Sequence, residues 1–196
     1  MKTPATRFEN LLLFALSAAF LLACFGPAVA QHAHYHGFAD QRGWWGLPYA
    51  MDVLSNLPFA IGGVWGLFAL RTCQPAPAQG AHRLLATLFF AGLVLTSLCS
   101  GFYHWQPDNA GLLVDRLGMV VAFAGLLGLA AADRVSARAG WGTAGAVLLL
   151  GPISVLVWAA SGNLLPWVVL QGGGMLLLLV LATRRPVAGA WGVPLG

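Results

Sequence analysis

About six apolar runs, each roughly twenty residues long, succeed one another along this chain with short polar breaks between them. Lipid offers no partner to backbone N–H and C=O groups, so a run that crosses it must satisfy them internally, as a helix does. The runs therefore predict an all-α fold: a polytopic membrane helix bundle of about six transmembrane helices, built as a single membrane domain over residues 1–196. Charge content agrees. Only 8% of the residues are charged and 59% are hydrophobic, whereas a soluble domain carries roughly 25% charged residues. The net charge of +4 is scattered over separate breaks rather than gathered in a basic patch, which leaves nucleic acid without support as a partner. Cys24, Cys73 and Cys99 show no paired spacing. They read as small buried hydrophobes, with no disulfide framework.

At the amino terminus, Lys2 and Arg7 precede the run Leu11–Phe25 and then Gly26-Pro27-Ala28-Val29-Ala30. Ala28-x-Ala30 suits a signal-peptide cleavage site, but a chain that continues as a membrane bundle favours an uncleaved first transmembrane helix or signal-anchor within residues 1–30. Residues 31–49 form a polar-aromatic loop whose Trp44, Trp45 and Tyr49 suit the membrane interface. His32, His34 and His36 alternate there; an extended segment would turn them to one side for a metal, and a solvated loop would not.

The core bundle spans residues 50–183. Its helices are expected at about Ala50–Leu70, Leu84–Tyr103, Ala110–Ala131, Trp141–Ala160 and Leu164–Ala182. Pro58 is expected to kink the first of these and Pro152 lies inside the fourth. Gly62 and Gly66 make a small-xxx-small pair for close helix contact. His82 is expected to face solvent in the loop Arg71–Arg83, and Asp133, Arg134 and Arg138 to form a later loop. With the amino terminus in the cytoplasm, Lys2, Arg7, Arg71, Arg83, Arg134, Arg138, Arg184 and Arg185 all lie inside, and Arg42 outside. The excess of basic residues in inner loops favours that orientation.

One stretch concentrates the polar chemistry. Ser100 and His104 are four apart and share a helix face, and Asp115 falls about one turn into the next helix. A tight connection through Gln106-Pro107-Asp108 would return the carboxylate towards His104. Asp52, Ser55 and Asn56 stand at i, i+3 and i+4 at the start of their helix, at similar depth, as supporting groups. Ionisable residues inside a membrane are costly and usually functional. By residue type, Ser, His and Asp match a hydrolase triad, a neutral imidazole also suits zinc, and a polar clamp between helices uses the same groups.

Ser100-x-x-x-His104, followed by Asp115-Arg116-Leu117-Gly118-Met119, resembles the alkaline ceramidase family, part of a superfamily of seven-helix membrane hydrolases that includes adiponectin-receptor-like proteins. Tyr35 to Arg42 and Asp52 to Phe59 are similar to its bacterial members. The resemblance implies a zinc amidase acting on ceramide-like membrane lipids, with His104 as a zinc ligand, Asp115 handling protons on bound water and Ser100 stabilising the oxyanion. It also implies two further zinc ligands in a His-x-x-x-His pair on a last helix. No His follows His104 in this sequence. The expectation is therefore a shortened relative whose zinc binding is impaired, or one whose remaining ligands come from elsewhere. The competing reading is a non-catalytic lipid-binding or scaffold protein. A haem protein is disfavoured, since only His104 is placed for axial ligation.

Overall fold

The computed structural model describes residues 7–72 and 79–191, whose regular structure is helical, with no strand among the described residues. Expectations for Lys2, Cys73 and the loop residues 73–78 lie outside the described residues. The helices are α1 (Arg7–Phe25), α2 (Ala50–Leu54), α3 (Leu57–Thr72), α4 (Gly80–Trp105), α5 (Asn109–Arg134), α6 (Ala137–Ser161) and α7 (Leu165–Ala182). Among the described residues, five stretches are long and apolar enough to cross a membrane: α2 with α3, then α4, α5, α6 and α7. The sixth expected span, α1, is a 19-residue helix packed against α7 and α6. This is an integral membrane helix bundle.

α5 is its centre. It packs on α4, α6 and α7, and 56% of its apolar window is buried, against 17% for α2 with α3. Two close approaches lock α5 to α4. A methyl group on Gly92 would collide with the backbone of Ala122, and one on Gly118 would stand 2.7 Å from the Cys99 Cβ. Small residues at these points let the backbones meet, which is the main source of helix association in lipid. The same logic corrects one expectation: Gly62 faces open space, and it is Gly63 and Gly66 that seat α3 on Phe90 and Val94 of α4.

The span expected at Ala50–Leu70 is broken in two, and the break precedes Pro58. A proline ring clashes with the carbonyl four residues back, here Leu54, where α2 ends. Pro58 itself sits in the first turn of α3, where its missing N–H costs nothing. Two other expectations change at the opposite end of the bundle. α5 continues through Asp133 and Arg134, leaving only a short break before Ser136 caps α6 by accepting from the Ala139 N–H. His82 is buried in the first turn of α4, 3.8 Å from Asp133, with Trp191 tilted over its ring. Asp133 draws both His82 and Arg134 inward, and Arg134 donates at 2.7 Å to the Arg184 carbonyl after α7.

Candidate functional site

The connection between α4 and α5 is as short as the sequence suggests. Asp108 caps α5 by accepting from the Gly111 N–H at 2.6 Å. This turn places the end of α4 beside the start of α5, and with it the polar stretch. Ser100 and Asp115 are both buried. The Ser100 hydroxyl and the His104 ring are neighbours of the Asp115 carboxylate. The structure thus brings together the three residues singled out in the sequence. Two atoms among them are buried without a hydrogen-bond partner: Asp115 Oδ1 and His104 Nδ1. A buried polar atom left alone costs free energy, so each invites a water or ligand.

Aromatic rings and the 31–49 loop close the site. The His104 ring lies 4.8 Å from Phe38 and 5.1 Å from Tyr103, centroid to centroid. Phe38 meets Tyr103 and Tyr49 edge-on. His36 shares hydrogen bonds with the Tyr103 hydroxyl at 3.0 Å and with Asn109 Oδ1 at 2.9 Å. Since that amide oxygen can only accept, His36 Nε2 donates to it, and a neutral ring then accepts from Tyr103 at Nδ1. Sequence reasoning grouped His36 with His32 and His34. The loop is not extended but turned, with Tyr35 N–H bonded to the His32 carbonyl and Gly37 N–H to that of His34. Only His36 bridges to α4 and α5. No spacing signal could have found it, because its partners stand 67 and 73 residues away.

The supporting group at the start of the second span divides. Ser55 is exposed, and its hydroxyl donates at 2.6 Å to the Asp52 carbonyl. Asn56 is buried, but its amide also turns back on the Asp52 carbonyl, at 3.0 Å. Among the described residues, neither side chain bonds to Ser100, His104 or Asp115. The link runs instead through backbone: Ser97, three residues before Ser100, donates to the Asn56 carbonyl at 2.7 Å. Asp52 is half-buried, with its Oδ2 enclosed and unpartnered.

Zinc needs more than these groups offer. A catalytic zinc site uses three protein ligands, and among the described residues no group of three His, Cys, Asp or Glu side chains converges to hold a metal. His104 and Asp115 supply two free donor atoms. Among the described residues no third ligand stands with them, and the chemistry below is argued from the side chains alone.

Fold and site define a class: a helical membrane protein with buried Ser100 and Asp115 beside a half-buried His104 at one end of the bundle. No family model, curated protein or solved structure matches the chain.

Proposed function

We propose that this protein is a ceramidase-like hydrolase that cleaves the amide bond of ceramide-type lipids from within a bacterial plasma membrane. One observation carries the reading: Asp115, with Ser100 and His104 as neighbours, and His104 itself each hold a buried, unpartnered atom able to accept a hydrogen bond. A water bound between them would lose a proton to Asp115 as its oxygen attacks the amide carbon. The Ser100 hydroxyl, rotated away from Asp115, would donate to the oxyanion. The proton would pass from Asp115 to the leaving nitrogen as the C–N bond breaks, giving a fatty acid and an amine. A lipid suits this place because its acyl chain stays in hydrocarbon while its amide reaches the cluster.

The cluster belongs to the outer face in this reading. Arg71, Arg83, Arg134, Arg138, Arg184 and Arg185 gather at the opposite ends of the helices, which the positive-inside rule puts in the cytoplasm. The amino terminus of α1 lies on that same side.

Fatty-acid release from ceramide in proteoliposomes tests the chemistry, with metal content measured on the same preparation. Asp115→Asn keeps the shape and removes the base, so it should lower the rate at least about 100-fold. An unaltered rate would reject the assignment. A specific observation supports the second reading, a non-catalytic lipid-binding or scaffold protein: without a third metal ligand, Ser100 and Asp115 also serve as a clamp between α4 and α5. No hydrolysis by the wild-type chain, with or without added zinc, favours that reading.

A further inference from the structure

Arg116 follows Asp115 in the chain but turns to a different neighbourhood. It is 2% exposed, and its guanidinium carbon lies 4.1 Å from the centre of the Trp158 ring. Tyr35 and Trp167 stand at 5.8 Å on other sides. One nitrogen, NH2, donates to the neutral Gln31 amide oxygen at 2.9 Å. The other, NH1, is buried with no partner, and Arg116 makes no ion pair among the described residues. The Tyr35 hydroxyl is a polar neighbour, and the Asp115 carboxylate acts on it electrostatically without forming an ion pair. A guanidinium cannot discharge itself by losing its proton, so a buried one needs an anion or a full set of acceptors. Arg116 has neither.

Beside it lies a cavity of about 600 Å³, between the 30–36 loop, the start of α5 and the end of α6. Gln31 and Trp158, the two residues that hold the guanidinium, both form its wall. His32, His36 and Asn109 face it as well, and no acidic side chain among the described residues lines it. Because the Asn109 oxygen is taken by His36, its amide N–H groups remain to donate. The His32 Nδ1 accepts from the His34 N–H, so a neutral ring keeps its proton on Nε2 and donates there. The wall therefore presents donors, and Arg116 is buried behind Gln31 and Trp158 rather than lining the cavity itself.

We propose that this cavity binds a phosphate group, with Arg116 as its counter-charge and His32 and Asn109 as hydrogen-bond donors. The buried guanidinium charge acts on the cavity through its Gln31 and Trp158 wall and favours an anion there, and hydrogen bonds from the wall donors to an anion's oxygens are charge-assisted. Two sources present that chemistry at a membrane boundary: the headgroup of a phospholipid, and free phosphate. The site is separate from the Ser100–Asp115 pair and does not depend on its hydrolytic role.

The test uses the full chain in detergent and native mass spectrometry. Phosphatidylglycerol competes with a galactosyl diacylglycerol of the same acyl chains, which lacks phosphate. The wild-type chain should retain one phosphatidylglycerol with a preference of about tenfold or more. Arg116→Gln should lose the preference while keeping its helical circular dichroism. Gln31→Glu decides the matter if Arg116→Gln does not fold, since it puts a carboxylate of the chain's own against the guanidinium and should abolish retention. Displacement of the lipid by inorganic phosphate supports the site and makes the free anion its ligand. Resistance to that displacement supports the site and makes the headgroup its ligand. An absent preference in the wild-type chain, or a wild-type preference in Gln31→Glu, overturns the proposal.

Discussion

His36 shows how much a single side chain organises here. Its ring joins a loop to two helices through Tyr103 and Asn109, and so positions Phe38 over His104. His36→Ala removes both bonds and should cost about 1–2 kcal/mol of stability, read as a lower melting temperature in detergent micelles. A melt identical to wild type would mean the loop is held by its aromatic contacts alone. In the same loop Arg42 grips Asp40 with two side-chain bonds, at 2.8 and 2.7 Å. Those bonds, together with the Arg42 backbone N–H, hold the Asp40 carboxyl down to about 2, from an ordinary 3.8. Because the folded value is depressed, the pair's contribution is complete above about pH 4 and fades as pH falls through about 2. A carbon-13 titration of the Asp40 carboxyl should find its midpoint well below 3.8; a midpoint at the ordinary value would mean that the grip opens in solution.

Helices meet in this bundle where side chains are smallest. Gly118 lies one turn below Asp115 on α5, against Cys99, one residue before Ser100 on α4. An added methyl there must push the helices apart, and in the middle of the α4–α5 contact nothing flexible can yield. Gly118→Ala should therefore destabilise by about 1–3 kcal/mol and, in the hydrolytic reading, separate Ser100 from Asp115. Gly62→Ala is its control, since that position opens to empty space and should be near neutral. Thermal melts of the two variants make the comparison, and equal melts would mean the α4–α5 seam is more plastic than it looks. The break between α2 and α3 belongs to this scale as well. Pro58 was visible in the sequence, but whether it kinks a helix or starts a new one depends on where the preceding helix ends, here at Leu54, four residues back.

Across the whole molecule, polar chemistry separates to the two ends of the bundle. At one end stand His104, Asp115 and Arg116; at the other, Asp133, His82, Arg134 and Arg184 tie α4, α5 and the segment after α7 together. That segment is also held by the Val187 N–H, which donates to the Asp133 carbonyl at 2.9 Å. Removing the fully buried carboxylate in Asp133→Ala leaves Arg134 and His82 enclosed, which should cost about 3 kcal/mol or more and expose residues 183–191 to protease. Digestion at the wild-type rate would refute it. Orientation is tested by labelling Gln106→Cys, next to the cluster. Reagent confined to the outer face should reach it, and labelling from the cytoplasmic side alone would invert the arrangement.

The sequence by itself determined the class of fold, because apolar runs of membrane length admit little but helices, and it indicated that Ser100, His104 and Asp115 lie near one another, because a short turn must bring their helix ends together. Helix ends at Asp133 and Arg134 escaped it, since a charged residue reads as loop unless its buried partner, here His82, is known. Tertiary structure alone decided which glycines are contacts, that Ser55 looks outward, that His36 joins the site, and that Arg116 is caged without an anion. Each depends on which residues, distant in sequence, lie across a helix face. Periodicity along one helix gives that face a direction, but only packing gives it a neighbour.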